Sequence, residues 1–284
     1  MTTLAALEFV PSIADPSLFL RTDTSLPPFY VLVYVDDLIF ATADTEALTL
    51  AKSELQKRHT CTDLGELRSY LGLQITRDRA RRTITLTQSH MVHQVLQRFG
   101  FLYSSPQLTP LSTSHSLSAP PSDEFVEPSG PYPELVGCLM YLMTCTRPDL
   151  AYPLSLLARY VAPGRHRKVH WDAVKRVLRY LCSTSGMGLV LGGRGLVVLT
   201  GHEDASWAMI ALCQEHRLEH RTKHIALRYF LARELQQRGQ LRLAYVDTRA
   251  NTADVFTKAL PPGDHQRFVT VLGLVPMLPR LLTA

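Results

Sequence analysis

The feature that most restricts this chain lies at residues 29–41, where two apolar runs, F-Y-V-L-V-Y-V and L-I-F-A, flank Asp36 and Asp37. Runs rich in aromatic and β-branched residues read as two strands joined by a tight turn. Two adjacent carboxylates then stand at the tip of an apolar hairpin. Neighbouring carboxylates repel, and desolvation by a surrounding sheet raises that cost. A divalent cation resolves it. Mg²⁺ takes oxygen ligands, typically one or two protein carboxylates with phosphate oxygens alongside, and a pair of such ions stabilises both oxygens of an in-line displacement. The plainer alternative is a solvated turn, where aspartate is common. The residues themselves leave both readings open.

Helical and strand periods organise the rest of the chain. Asp44 and Thr45 suit the start of a helix to about residue 57, with Leu48, Ala51 and Leu55 on its inner face. Residues 70–76 and 83–87 read as strands joined by a basic turn, R-D-R-A-R-R at 77–82, and a helix is predicted at 88–99. Seven prolines and many serines between residues 104 and 133 exclude regular structure. Helical patterns resume at 134–145, 150–161 and 168–182. In the last, Trp171, Val174, Leu178 and Leu181 share one face and Lys168, Lys175 and Arg179 the opposite one. Strands are predicted at 189–191, 196–199 and 241–246, a helix at 222–238, and a short helix from Thr252.

Bulk properties set outer limits. With 46% hydrophobic and 19% charged residues the chain has enough apolar material for packed cores. Its apolar stretches fall short of the roughly 18 residues a membrane span needs. Residues 1–12 carry no basic residue before the apolar run, which argues against a secretory signal. The expectation is a soluble intracellular protein, cytoplasmic or nuclear, with no membrane partner. Five scattered cysteines, Cys61, Cys138, Cys145, Cys182 and Cys213, form no C-x-x-C pair and read as buried free thiols. His59, His90, His93, His166 and His170 show no metal-ligand spacing, and Lys52, Lys57 and Arg58 suggest no role. A net charge of +5 mildly favours an anionic partner.

Taken in order, the motifs carry a resemblance. Y-V-D-D at 34–37 resembles motif C of reverse transcriptases. D-L-G-E-L at 63–67 and Y-L-G-L at 70–73 resemble a run found in Ty1/copia-type elements, as do T-R-P-D at 146–149 and H-W with V-L-R-Y-L at 170–171 and 177–181. R-T-K-H-I at 221–225 and A-D-V-F-T-K-A-L at 253–260 resemble blocks of their RNase H region. The resemblance implies an α+β fold: a partial polymerase palm with its hairpin and primer grip at 1–76, a thumb at 77–117, a Pro/Ser-rich linker at 118–133, a helical connection at 134–195, and a truncated RNase H-like remnant at 196–284. It implies Asp36 and Asp37 as catalytic ligands of Mg²⁺ or Mn²⁺. Tyr70, Leu71 and Gly72 would lie on the primer-grip strand, residues 70–75. The partners would be an RNA template, a DNA primer or RNA–DNA hybrid, and dNTP if active. Arg77, Arg79, Arg81 and Arg82, with Lys168, Lys175 and Arg179, would contact phosphates, although a solvated turn and a solvated helix face explain the same charges.

The sequence also departs from that pattern. Family polymerases carry a further aspartate, motif A, on a strand preceding the hairpin; here the upstream aspartates, Asp15 and Asp23, lie in no such context. One hairpin lacks the remaining ligand for two ions, and its sheet loses a neighbour that would cover a strand edge. In the RNase H region Asp204 and Asp254 match the first and last metal ligands, but Ser206, Ala226 and Phe230 replace family residues and the blocks with the middle acids are missing. Glu203 and Glu215 are poor substitutes. The chain alone is therefore expected to be inactive as polymerase and as RNase H, with a non-catalytic nucleic-acid-binding remnant, or a module completed by another Pol fragment, as alternatives.

Overall fold

The computed structural model describes residues 2–114, 117, 131–194, 200–204, 235, 238–240, 242 and 244–277. Residues 118–130 of the linker, the strand at 196–199, Ser206, Glu215, the 221–225 block, Ala226, Phe230 and nearly all of the helix at 222–238 lie outside them. The described residues form an α+β protein of two compact units, Met1–Arg68 and Ser69–Ala284.

The first unit opens with a one-turn helix, α1 (Thr2–Ala5), and an antiparallel meander, β1 (Phe9–Pro11), β2 (Leu18–Arg21), β3 (Phe29–Tyr34) and β4 (Asp37–Thr42), in that spatial order. Helix α2 (Thr45–Arg58) closes it. The period of two puts Phe9, Phe19, Phe29, Val31, Val33 and Phe40 on one face, where Leu4, Leu7, Ala47, Leu48 and Ala51 cover them. Asp44 caps α2 by accepting from the Ala47 amide at 2.9 Å, and its other oxygen accepts from Arg21 at 3.3 Å. One side chain thus fixes both the helix start and its seat on the sheet. Strand β4 lies at the sheet edge.

In the second unit the strands come from far apart in sequence. They are β5 (Ser69–Tyr70), β6 (Leu73–Asp78), β7 (Thr83–Thr87), β8 (Met187–Gly192) and β9 (Leu274–Pro276), all antiparallel in that order. The helices are α3 (Ser89–Arg98), α4 (Tyr132–Cys145), α5 (Ala151–Leu157), α6 (Lys168–Ser183), α7 (Asp254–Thr257) and α8 (Pro262–Val271). Helices α3 to α6 enclose the largest core, with Leu135, Leu139, Leu142, Leu150, Leu157, Leu178 and Leu181 fully buried. Residues 150–161 are not one helix, since α5 is flanked by 3-10 turns at Pro148–Leu150 and Ala158–Tyr160. The strand expected at 70–76 is broken. Leu71 and Gly72 adopt φ of 46° and 74° and make a two-residue turn between β5 and β6, the left-handed pair a tight hairpin favours. The described part of 241–246 is not a strand. The cysteines among the described residues are free thiols as expected, but Cys61 is exposed and the rest only half-buried.

The T-R-P-D run holds this unit together. Arg147 and Asp149 are buried side by side, with Nη2 2.8 Å from Oδ2. Arg147 also donates to the Thr184 carbonyl and hydroxyl, and Tyr180 donates to Asp149 at 2.7 Å. Thr146 donates to buried Gln88 at 2.7 Å. The four-residue turn therefore ties α4 to the start of α3 and the end of α6. Burial pushes the Asp149 carboxyl up, but the Arg147 guanidinium and the Tyr180 hydroxyl outweigh it and hold the group below the carboxylate range. His265 on α8 packs edge-on against Tyr180 at 5.4 Å, and burial holds its imidazole below its ordinary value.

These shifts have a sign. A depressed folded-state pKa favours the native state above the unfolded pKa, and the benefit is lost as pH falls through the folded one. Stability of the second unit is expected to decline below pH ~6.5 as His265 is driven to protonate, and again below pH ~4 as Asp149 is. His265→Phe should flatten the first decline in urea unfolding followed against pH. Asp149→Asn, which strands a buried guanidinium, should cost roughly 3–5 kcal/mol at neutral pH.

Candidate functional site

The Y-V-D-D segment forms the predicted hairpin. Strands β3 and β4 pair from Phe29↔Thr42 to Tyr34↔Asp37, leaving Val35 and Asp36 as the two turn residues. Val35 has φ of 52°. A left-handed backbone at a β-branched residue is strained, by about 1–3 kcal/mol. The registered strands on both sides impose it, so the positions of Asp36 and Asp37 are set by the ladder rather than by local preference. Both carboxylates are exposed. The desolvation anticipated from the sequence is absent, and repulsion between neighbours is the cost that remains.

In kind, the donor set fits a hard cation: two accessible carboxylates, with oxygen the preferred donor for Mg²⁺. In number it is partial. No group of three or more His, Cys, Asp or Glu side chains able to hold a metal ion occurs among the described residues.

Tyr70, Leu71 and Gly72 belong to the second unit, on the β5–β6 hairpin rather than on one continuous strand. The Tyr141 hydroxyl on α4 donates to the Leu71 carbonyl at 2.5 Å and holds this turn from the helical side. A methyl group on Gly72 would meet that hydroxyl at 3.7 Å, so its φ, not space, calls for glycine.

The basic residues divide by what they face. Arg77, Arg79, Arg81 and Arg82 are exposed on or beside the β6–β7 turn, where Arg81 lies 3.8 Å from Asp78. Strand pairing adds a residue that sequence reading missed. Arg194, just past β8, donates to the Ala80 carbonyl at 2.7 Å, so its guanidinium joins the same tip. Gly192 permits this approach, because a side chain there would strike the Arg82 carbonyl at 2.5 Å. Lys168 and Lys175, by contrast, both contact Asp172, at 2.7 and 3.4 Å, and Arg179 lies over the Phe101 ring. The α6 face is therefore partly neutralised.

Asp204 and Asp254, fifty positions apart, are brought together. Lys258 Nζ lies 2.9 Å from Asp254 Oδ1 and 3.3 Å from Asp204 Oδ1, and the Thr257 hydroxyl donates to Asp204 Oδ2 at 2.7 Å. The Thr257 hydrogen bond, with Lys258 beside it, holds the Asp204 carboxyl below its ordinary range. The family resemblance had named Asp204 and Asp254 together; Thr257 and Lys258 are the residues that sequence reading missed, although the i,i+4 spacing of Asp254 and Lys258 was a usable local sign.

Residues 1–113 match the family model described as reverse transcriptase (RNA-dependent DNA polymerase). A putative transposon Ty5-1 protein of Saccharomyces cerevisiae is 32% identical over 220 residues, which cover 78% of this chain and 68% of that one. The chain belongs to the copia-type reverse transcriptases. Retrovirus-related Pol polyproteins from transposon TNT 1-94 of Nicotiana tabacum and transposon RE2 of Arabidopsis thaliana are 27% and 28% identical, over 94% and 98% of this chain. The chain spans about a quarter of the length of those polyproteins (26% and 24%). The two alignments run over 347 and 355 positions against a chain of 284, so both polyproteins carry positions with no counterpart here. No solved structure matches this chain.

The strained turn gives a direct test. Val35 is 83% exposed, so Val35→Gly removes the left-handed penalty at little packing cost. It should leave the hairpin intact and stabilise the first unit by about 1 kcal/mol, read from the urea midpoint. A loss of stability would show that the turn is relaxed.

Proposed function

We propose that this chain supplies the motif C hairpin, the primer-grip turn and the helical region of a copia-type RNA-directed DNA polymerase, and that residues 1–284 alone do not polymerise. The observation that carries this reading is the pair of exposed aspartates held on a strained two-residue turn. Asp36 and Asp37 would be the ligands to Mg²⁺ or Mn²⁺, which when bound supplies electrostatic stabilisation of the phosphoryl oxygens. A geometry fit for catalysis needs a complete ligand shell, so a third carboxylate must come from a strand outside residues 1–284, on the same polypeptide or another. The substrates of the completed site would be a primed RNA template and dNTP. The departure at Ser206 and the closeness of Trp207 and Ala208 to the 221–225 block support the further reading that blocks of the RNase H region are missing.

The exposed arginine turn favours a second reading, a nucleic-acid-binding remnant without chemistry. Phosphate contacts dominate such binding and weaken steeply with salt. The two readings share the hybrid-binding surface and differ only in whether a supplied third ligand restores synthesis.

Primer extension on an RNA template with Mg²⁺ or Mn²⁺ tests the first. Residues 1–284 should give no incorporation above background, and a chain extended upstream through a motif A aspartate should give incorporation that Asp36→Asn abolishes. Incorporation by the 284 residues alone, lost in Asp36→Asn, would overturn the inactive reading. For the binding surface, affinity for an RNA–DNA hybrid should fall linearly with salt on logarithmic axes. Each of Arg81→Ala and Arg82→Ala should reduce that slope by about 1, whereas Lys168→Ala should leave it nearly unchanged.

A further inference from the structure

We propose that Lys258 occupies the position of a cation between Asp204 and Asp254, so that this carboxylate pair is an internal ion triad that excludes divalent metal. The triad belongs to the second unit alone and stands whether or not the polymerase reading does.

Asp254 is 2% exposed, and a carboxylate so buried requires a positive partner. Lys258, four residues later and just past the end of the same short helix, supplies it at 2.9 Å. The same ammonium reaches Asp204 at 3.3 Å, while the Thr257 hydroxyl satisfies the other Asp204 oxygen at 2.7 Å. Both Asp204 oxygens are therefore engaged, and Asp254 Oδ1, which has no hydrogen-bond partner, faces the ammonium as an ion pair. An ion placed between the carboxylates would stand within a few ångströms of a charge of its own sign. Among the described residues no third acid answers that repulsion, since they hold no cluster of three potential ligands. The described donor set thus does not fit a two-metal nuclease centre.

The triad has a structural use instead. Asn251 Nδ2 donates to the Glu203 carbonyl at 3.0 Å, beside the Asp204 contacts with Thr257 and Lys258. Residues 203 and 204 are consequently pinned to residues 251–258 across an intervening stretch of nearly fifty positions. Residues 252–255 are themselves buried, and Ala259 packs on the main helical core. The lysine anchors one end of that stretch to the second unit.

The test is Mn²⁺ binding by the full chain, read as the loss of the free-ion electron paramagnetic resonance signal. Asp36→Asn/Asp37→Asn serves as the parent, which silences the hairpin in the other unit. The parent should show no saturable one-ion site up to millimolar Mn²⁺. Lys258→Met, or Lys258→Gln where the apolar variant does not fold, should create one, at least tenfold tighter than any residual binding in the parent and lost again on Asp254→Asn. A stoichiometric Mn²⁺ site in the parent that disappears with Asp254→Asn would overturn the proposal, and that titration needs no lysine variant to fold. Folded lysine variants that still take up no Mn²⁺ would overturn it as well, because Lys258 would then not be what keeps the metal out.

Discussion

A guanidinium and a carboxylate buried together cost several kcal/mol each to remove from water, and they are tolerated only where every remaining donor and acceptor finds a partner. Arg147 and Asp149 meet that condition. Their neighbours are Thr184, Tyr180 and, through the edge of the Tyr180 ring, His265. Those residues lie on α6 and its C-terminal cap and on α8, and Thr146 beside them reaches Gln88 at the start of α3. A hydrophobic pair in the same place would pack as well but would not dictate which helix ends meet. The ion pair contributes specificity of arrangement, and the leucine-rich core around it contributes the burial.

That arrangement has consequences at the surface. Because α4 is fixed through Thr146 and Arg147, Tyr141 on its far side is placed to hold the Leu71 carbonyl. The β5–β6 turn is thereby stiffened from outside the sheet, where its left-handed residues need support. The Val35 turn in the first unit is handled differently. There the six-residue ladder between β3 and β4 supplies the constraint. Two turns of similar backbone strain are thus stabilised by different means, one by a tertiary hydrogen bond and one by register.

Legibility in the sequence tracks the range of the interactions involved. Helices α2, α3 and α6 were legible because apolar period and capping residues such as Asp44 lie within a turn or two of each other. The Y-V-D-D hairpin was legible for the same reason. The Leu71–Gly72 turn was missed because an apolar residue in the left-handed region hides inside what looks like a continuous strand; Gly72 was the only local sign. Strands β1, β2 and β9 are short and lack alternation long enough to register. The five-stranded sheet was beyond reach, since β7 meets β8 about a hundred residues on and β9 arrives later still. Arg194 joined its site through such a pairing, so no local pattern could have nominated it, whereas Asp204 and Asp254 were nominated by their motif blocks and not by spacing.

Net charge proves a poor guide to where an anion would bind. Lys168 and Lys175, singled out by spacing, share one aspartate, and Lys258, which was not, serves two. Each of those positive charges is spent within the unit, and long-range attraction from such pairs is small once they are screened. The segment at 77–82 contains four arginines and a single aspartate, and pairing with β8 adds Arg194 to it. Guanidinium groups suit bidentate contact with phosphate. The net charge of +5 therefore says less about this surface than the local arrangement does: the β6–β7 turn gathers five guanidinium groups, while the α6 lysines share an acid with one another.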